Sequence, residues 1–472
     1  MKKYFIFTAM AVAVAFTACT NSSDESPEVP GTGNTTAVRG KTPVGFDAYT
    51  GRAVTRAGQT GLLDDAALQT ADKGFGVFAY YTDLKKYDQT YVPNFMYNTH
   101  VTYDGTSAWT YSPVMYWPNE NGSNAQSDDE DKVSFFAYAP YAATGSPAAG
   151  SVDTSTDPTA ASWGITGFSR NTTAGDPLVK YIATFNAANS VDLCWGVVGT
   201  TEATGQSNEW NLLQTGSGQT GLTEGKPWLD VEHPQGTDQK LKFTFKHALA
   251  KLAVNINADI NTATTGTGDA IDSNSKVYVR SISFTGIAMK GALNLNNTTA
   301  NQALWLDYSG TTDLPYGESV TIKDGRRDGR EGAANADAAN ELPQGLNAVL
   351  VQDAGSTTAG VTKDPVSLFA GGGSVYVIPT GEAMTVTIVY DVETENDALP
   401  GYISDGVKHG SSIENRISKT IKISAADMTL SSGKAYTINL HLGMNTVKYD
   451  ATVGAWDTVS DPGEAWLPAN AN

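Results

Sequence analysis

Within the first sixty positions, Cys19 and the arginines Arg52 and Arg56 carry side chains and spacings that could support chemistry. Cys19 closes Phe16-Thr17-Ala18-Cys19, a small-residue site that follows Lys2-Lys3 and the apolar run Tyr4 to Phe16. A charged start, a short apolar run and a small-residue site make a secretory signal. Its thirteen apolar-region residues are too few to span a bilayer, which takes about 20. The site resembles a lipobox. In that motif the cysteine sulfur is the nucleophile that takes a diacylglycerol, and the cysteine becomes the first residue of the mature chain. Acyl chains contribute about 0.8 kcal/mol per buried methylene, so several together hold a protein at a membrane. Arg52-Ala53 and Arg56-Ala57 are targets for a trypsin-like protease wherever their loop is exposed. A first strand followed by a basic turn accounts for the same residues without any cut.

Other chemistry is poorly supported, and the chain reads as a non-enzyme. The five histidines, His100, His233, His247, His409 and His441, are scattered, with no metal-ligand spacing. His247 reads as a core or edge residue of a strand. No Gly-x-Ser-x-Gly elbow is present, and Gly371-Gly372-Gly373-Ser374 lacks the lysine of a phosphate loop. Ser127 to Asp131 is acidic but lacks the spaced ligands and central glycine of a calcium loop. No cofactor and no metal is expected. With two cysteines in 472 residues and Cys19 committed to lipid, Cys194 has no disulfide partner. In Val191 to Trp195 it reads as a buried apolar strand residue.

The net charge is −19, and losing Lys2 and Lys3 with the signal takes it to −21. An acidic surface argues against nucleic acid and anionic membrane as electrostatic partners. Charged residues make up only 17% of the chain and glycine is frequent, at 47 residues, which suits an exported all-β protein. The length exceeds what one core usually supports, so two domains are expected.

Several elements would have to position this chemistry. Residues 1–18 are the signal, and 19–41 form a polar tether, TNSSDESPEVPGTGNTTAVRGK after Cys19, with little to bury. As a coil it reaches on the order of 25 Å. Val44, Phe46 and Ala48 then alternate with Gly45, Asp47 and Tyr49 as a strand over 43–50. Short strands follow, at Gly74 to Tyr81, Val101 to Tyr103 with the hairpin dipeptide Asp104-Gly105, and Val133 to Tyr138. Ala142 to Gly175, Gly199 to Gln239 and Asp313 to Gln344 read as long surface excursions. Leu241, Phe243 and Phe245 alternate, as do Leu252, Val254 and Ile256, but the phase slips across His247 to Ala250. A bend, bulge or turn there keeps both apolar faces inward. Val447, Tyr449, Ala451 and Val453 mark a last strand ending at Trp456.

Phe245-Lys246-His247-Ala248-Leu249-Ala250-Lys251-Leu252 resembles the F-x-H-A-L-(A/S)-K-L signature of fimbrillin-family proteins, the lipoprotein pilins of type V pili. Other pieces match in order: Cys19, Phe46 to Arg56, Gly74 to Phe78, Tyr116-Trp117-Pro118, Phe135 to Tyr141 and Trp456. The resemblance implies transthyretin-like β-sandwich domains, and the crowding of Asn, Thr and Gly from Ala258 to Asp272 places two of them in tandem, at 42–265 and 270–472. It implies an outer-membrane, surface-exposed lipoprotein that joins a fimbrium. It also implies that a cut at Arg56 or Arg52 frees the strand bearing Val44, Phe46 and Ala48, whereas a cut at Arg39 would only detach the lipid. A strand from another fimbrial subunit then takes the vacated place by β-strand addition. Here Val447, Tyr449, Ala451 and Val453 mark the candidate donor, and permanent pairing in its own domain is the alternative. A second reading is a surface lipoprotein that never polymerises and binds a host or glycan ligand. It draws on Trp163, Trp210, Trp228 and Trp466 as exposed rings in polar company.

Overall fold

The computed structural model describes residues 42–50, 64–70, 73–106, 108–118, 131–143, 164–199, 222–233, 240–258, 275–312, 314, 320–323, 366–369, 373–394, 402–404, 407–409, 416–422, 429–442 and 447–455. The protein is all-β. Among the described residues its one helix is the single turn α1, Asp65–Leu68, capped by Asp64 accepting from the Ala67 N–H.

The strands of the first half are β1 (Gly45–Tyr49), β2 (Phe75–Asp83), β3 (Met96–Tyr103), β4 (Trp109–Thr110) and β5 (Lys132–Ala139). They continue with β6 (Ile165–Phe168), β7 (Leu178–Ile182), β8 (Cys194–Val197), β9 (Trp228–Glu232) and β10 (Lys240–His247). Next come β11 (Ala250–Ala258), β12 (Ser275–Thr285), β13 (Ile287–Ala288), β14 (Lys290–Asn294), β15 (Leu304–Leu306) and β16 (Val320–Lys323). The last are β17 (Val366–Ser367), β18 (Val375–Pro379), β19 (Thr385–Thr394), β20 (Tyr402–Ser404), β21 (Val407–His409), β22 (Arg416–Lys422), β23 (Lys434–Leu442) and β24 (Val447–Ala455).

An eight-stranded sheet runs β1-β10-β8-β5-β2-β3-β4, with β9 added beside β5. Successive strand residues face opposite sides, and in β5 both sides are apolar. Phe135 joins one buried cluster and Phe136 the other. The Phe136 side packs with side chains of a four-stranded sheet, β15-β14-β7-β6. In that sheet β7 pairs with β14, so strands from the two halves of the chain lie side by side. A six-stranded sheet (β13-β18-β11-β23-β24, with β17) and a second four-stranded sheet (β16-β12-β19-β22) share an aliphatic cluster that includes Val254, Ile282, Ile388 and Ile438.

The phase slip at His247 marks a change of sheet. Leu241, Phe243 and Phe245 of β10 line the aromatic cluster around Phe135. Leu252, Val254 and Ile256 of β11 line the aliphatic cluster, and Ala248 and Leu249 fill a third. Backbone groups freed at such a step need partners. Ala248 N donates to Leu193 O, Ala248 O accepts from Trp305 Nε1 and Ser432 Oγ, and Leu249 O accepts from Gly433 N.

The hairpin at Asp104-Gly105 forms, pairing Tyr103 with Trp109. Gly105 takes φ +81°, a conformation glycine adopts without strain, and Asp104 Oδ1 accepts from Thr106 N and Ala108 N. The three long excursions are not wholly irregular: they contain β6, β9 and β16. These strands are only four or five residues long, too short to stand out from polar neighbours.

Candidate functional site

The N-terminal strand sits in a built seat. β1 runs parallel to β10, pairing Phe46 with Leu241, Asp47 with Lys242 and Ala48 with Phe243. Val44 and Phe46 are buried, and Ala48 packs against the same cluster half-buried. The Phe46 ring meets Tyr111 at 5.2 Å, Phe135 and Phe243 at 6.0 Å, and Phe75 at 6.3 Å between centroids. Such contacts add to the roughly 3 kcal/mol that burial of a phenylalanine provides.

Outside the ladder, β1 is clasped at both ends. Val44 N donates to Met115 O at 2.9 Å, and Trp117 N donates to Thr42 O at 3.0 Å. Tyr111 Oη donates to Val44 O at 2.7 Å, and its burial raises the phenol to about 12. At the other end Thr50 N and Thr50 Oγ1 both donate to Asp65 Oδ1 at 2.7 Å. On the rim Asp47 Oδ2 stands 4.0 Å from Lys242 Nζ, a half-buried pairing at the limit of ion-pair distance. The arrangement holds β1 by main-chain hydrogen bonds on one edge and by an aromatic cluster beneath it.

Of the residues predicted from sequence, Val44, Phe46 and Ala48 come together in this seat. Cys19, Arg52 and Arg56 lie outside the described residues. Val447, Tyr449, Ala451 and Val453 belong to β24, which pairs antiparallel with β23 from Val447↔Leu442 to Ala455↔Lys434. That strand ends its sheet; Ala451 is buried and Val453 is 48% exposed. Trp228 corrects the expectation of an exposed sugar-stacking ring. It is 2% exposed, because β9 pairs with β5 and sets Trp228 opposite Phe135 within the aromatic cluster. Trp163, Trp210 and Trp466 lie outside the described residues. Tyr111 and Asp65 were not foreseen, since nothing local in sequence ties them to a strand 67 and 15 residues away.

A second constellation was also missed. Among the described residues, Asp192, Cys194 and His247 are the group that brings three metal-ligand types together. All three are buried. His247 Nδ1 lies 2.5 Å from Asp192 Oδ2, and Cys194 Sγ lies 3.5 Å from each of those atoms. Two ligands on one tetrahedral ion at about 2.0–2.1 Å stand roughly 3.3 Å apart. The 2.5 Å contact is instead a hydrogen bond, so the set does not fit an ion as it stands. Burial, then the Asp192 charge, pushes the Cys194 thiol up to about 12. A nucleophile needs the thiolate and access, and here both are denied. The cluster pins β8 to the last residue of β10, the strand that carries β1.

No protein-family model matches the chain. Fimbrium subunit Fim1C of Phocaeicola vulgatus is 37% identical over 101 residues, which is 21% of this chain and 23% of that relative. The match thus spans about a quarter of the relative's length. The chain is therefore homologous, over that stretch, to a fimbrium subunit. Among solved structures, a fimbrial protein of Bacteroides vulgatus aligns over 88% of this chain and 99% of its own, with 19% identity and a TM-score of 0.44.

Proposed function

We propose that the chain is a structural or tip/accessory subunit of a bacterial cell-surface fimbrium, and not an enzyme. It is exported as a lipoprotein through Cys19 and held at the outer membrane. A trypsin-like protease cuts at Arg56 or Arg52, and assembly follows by β-strand exchange with other subunits. Two sandwiches form the body, and the chain passes from the sheet of β10 to that of β11 between His247 and Ala250. The observation that supports this reading best is the seat of β1: a short apolar strand, parallel at the end of its sheet, placed directly before the two arginines. Removing it would bare the Phe46 pocket and the free edge of β10, a template for another strand. The homologous stretch in a fimbrium subunit supports the same assignment.

The test is the N-terminus of the protein recovered from the cell surface, read by mass spectrometry with and without the protease. A start at Ala53 or Ala57 in high-mass, SDS-resistant species is the expected result. A monomer that keeps a lipidated Cys19 after protease treatment would refute assembly by exchange.

A further inference from the structure

Val179 and Tyr181 of β7 point into the cluster shared with the eight-stranded sheet. Alternate residues of a strand face the other way, so Lys180 and Ile182 share the outer face of the sheet β15-β14-β7-β6. Lys290 of β14 pairs with Ile182, and Ala292 pairs with Lys180. Directly opposed residues lie on one face, so Lys180 and Lys290 are diagonal neighbours, roughly 7–8 Å apart. The turn after β15 walls this face. Lys180 Nζ lies over the Tyr308 ring, 4.9 Å from its centroid. The Tyr308 hydroxyl is 2.8 Å from Thr166 Oγ1. Thr166 is the extra residue of a bulge in β6, between the pairs Ile165↔Tyr181 and Gly167↔Lys180.

The charges on this face are not balanced. Lys180 is 8% exposed, yet among the described residues neither Lys180 nor Lys290 makes a hydrogen bond or an ion pair. Asp307, whose charge Lys180 feels, commits both oxygens to its own turn. Its Oδ1 accepts from Thr311 N and Thr312 N, and its Oδ2 from Ser309 N and Ser309 Oγ. Burying a cation without a counter-ion is unfavourable, and the Tyr308 ring offsets only part of that. Burial accordingly lowers the Lys180 pKa. Two neighbouring lysines without a carboxylate, in a chain of net charge −19, leave a place for an anion. Beside them Ile182 is 43% exposed, an apolar shelf next to two hydroxyls.

We propose that this face binds an acidic sugar. The ligand's carboxylate meets the ammonium groups of Lys180 and Lys290, its hydroxyls meet Thr166 and Tyr308, and a C–H face covers Ile182. The inference goes beyond the fimbrial assignment and does not depend on strand exchange, because β7 and β14 lie outside the sheet of β1.

The experiment is isothermal titration of the full chain with a galacturonic acid trisaccharide, its neutral galactose counterpart and sodium acetate. Saturable binding of the acidic trisaccharide alone is expected, and added salt weakens it. Lys290→Ala, at an exposed position, should weaken binding about threefold. Tyr308→Phe keeps the ring, drops the hydroxyl and should weaken it about threefold too. Lys180→Met should weaken it by about tenfold or more. The same change should leave Tm unchanged or raised, since it removes an unpaired buried charge. A lower Tm with binding intact would make Lys180 a structural residue and overturn the inference. Unchanged affinity in Lys290→Ala and Tyr308→Phe overturns it even where Lys180→Met does not fold. Equal binding of the neutral trisaccharide, displacement of the acidic one by an equal concentration of acetate, or no binding at all also overturns it.

Discussion

Among the described residues β1 and β24 each end a sheet with one strand partner, but they are held by different means. β1 pairs over five residues in parallel with β10 and sinks Val44 and Phe46 into an aromatic pocket. β24 pairs over nine residues antiparallel to β23, while Val453 is half in water. Buried apolar side chains mark the first attachment, and the second has the longer backbone ladder. A strand held by a pocket can be replaced by any strand that fills it. A strand held by a long ladder is released only by breaking that ladder or by trading it for a deeper site.

The contrast can be broken most directly at Phe46. Phe46→Ala should cost about 3–5 kcal/mol in denaturant unfolding, because four rings lose their shared neighbour. A loss below about 1 kcal/mol would mean that the ladder, not the pocket, holds β1. The platform beneath β1 is open to a similar challenge. His247→Ala strips the partner from buried Asp192 and should cost about 3 kcal/mol. Replacing both residues by apolar ones should recover much of that loss, and failure to recover would deny that the pair acts as a unit.

Alkaline titration sharpens the comparison through Cys194, which lies on the β1 side of the molecule. Its thiol moves from 9.0 to about 12 on folding. Below about pH 9 both states keep the proton and this group adds no pH dependence. Between there and 12 the unfolded chain releases a proton that the native chain retains, so stability falls as pH rises. The thiol contributes at most about 1.4 kcal/mol per pH unit in that window. Cys194→Ala should flatten the slope by that share, and an unchanged slope would assign it to the buried tyrosines.

Tyr111→Phe removes the hydroxyl that donates to Val44 O and also bonds Met115 O and Met115 N, and should cost about 1 kcal/mol. It should also speed loss of the nicked N-terminal strand, read by mass spectrometry, and no change in that rate would show the clasp to be incidental. Val453→Ala, at a half-exposed site of β24, should change stability by less than about 0.5 kcal/mol. A larger loss would show that β24 also depends on its side chains.

The sequence by itself determined the class of fold and the faces of the decisive strands. Val44 with Phe46, Leu241 to Phe245 and Leu252 to Ile256 alternate, and alternation depends only on neighbours in the chain. It even registered the sheet change, as a phase slip at His247 to Ala250, though not what lay on either side. The tertiary structure alone decided the partners. Periodicity tells which face is apolar but not which of many apolar faces it will meet. Hence the parallel placement of β1 on β10, about 195 residues away, could not be read locally. Neither could the contact of Asp192 with His247, 55 residues apart, nor the burial of Trp228, whose polar neighbours in sequence hid the cluster it enters in space.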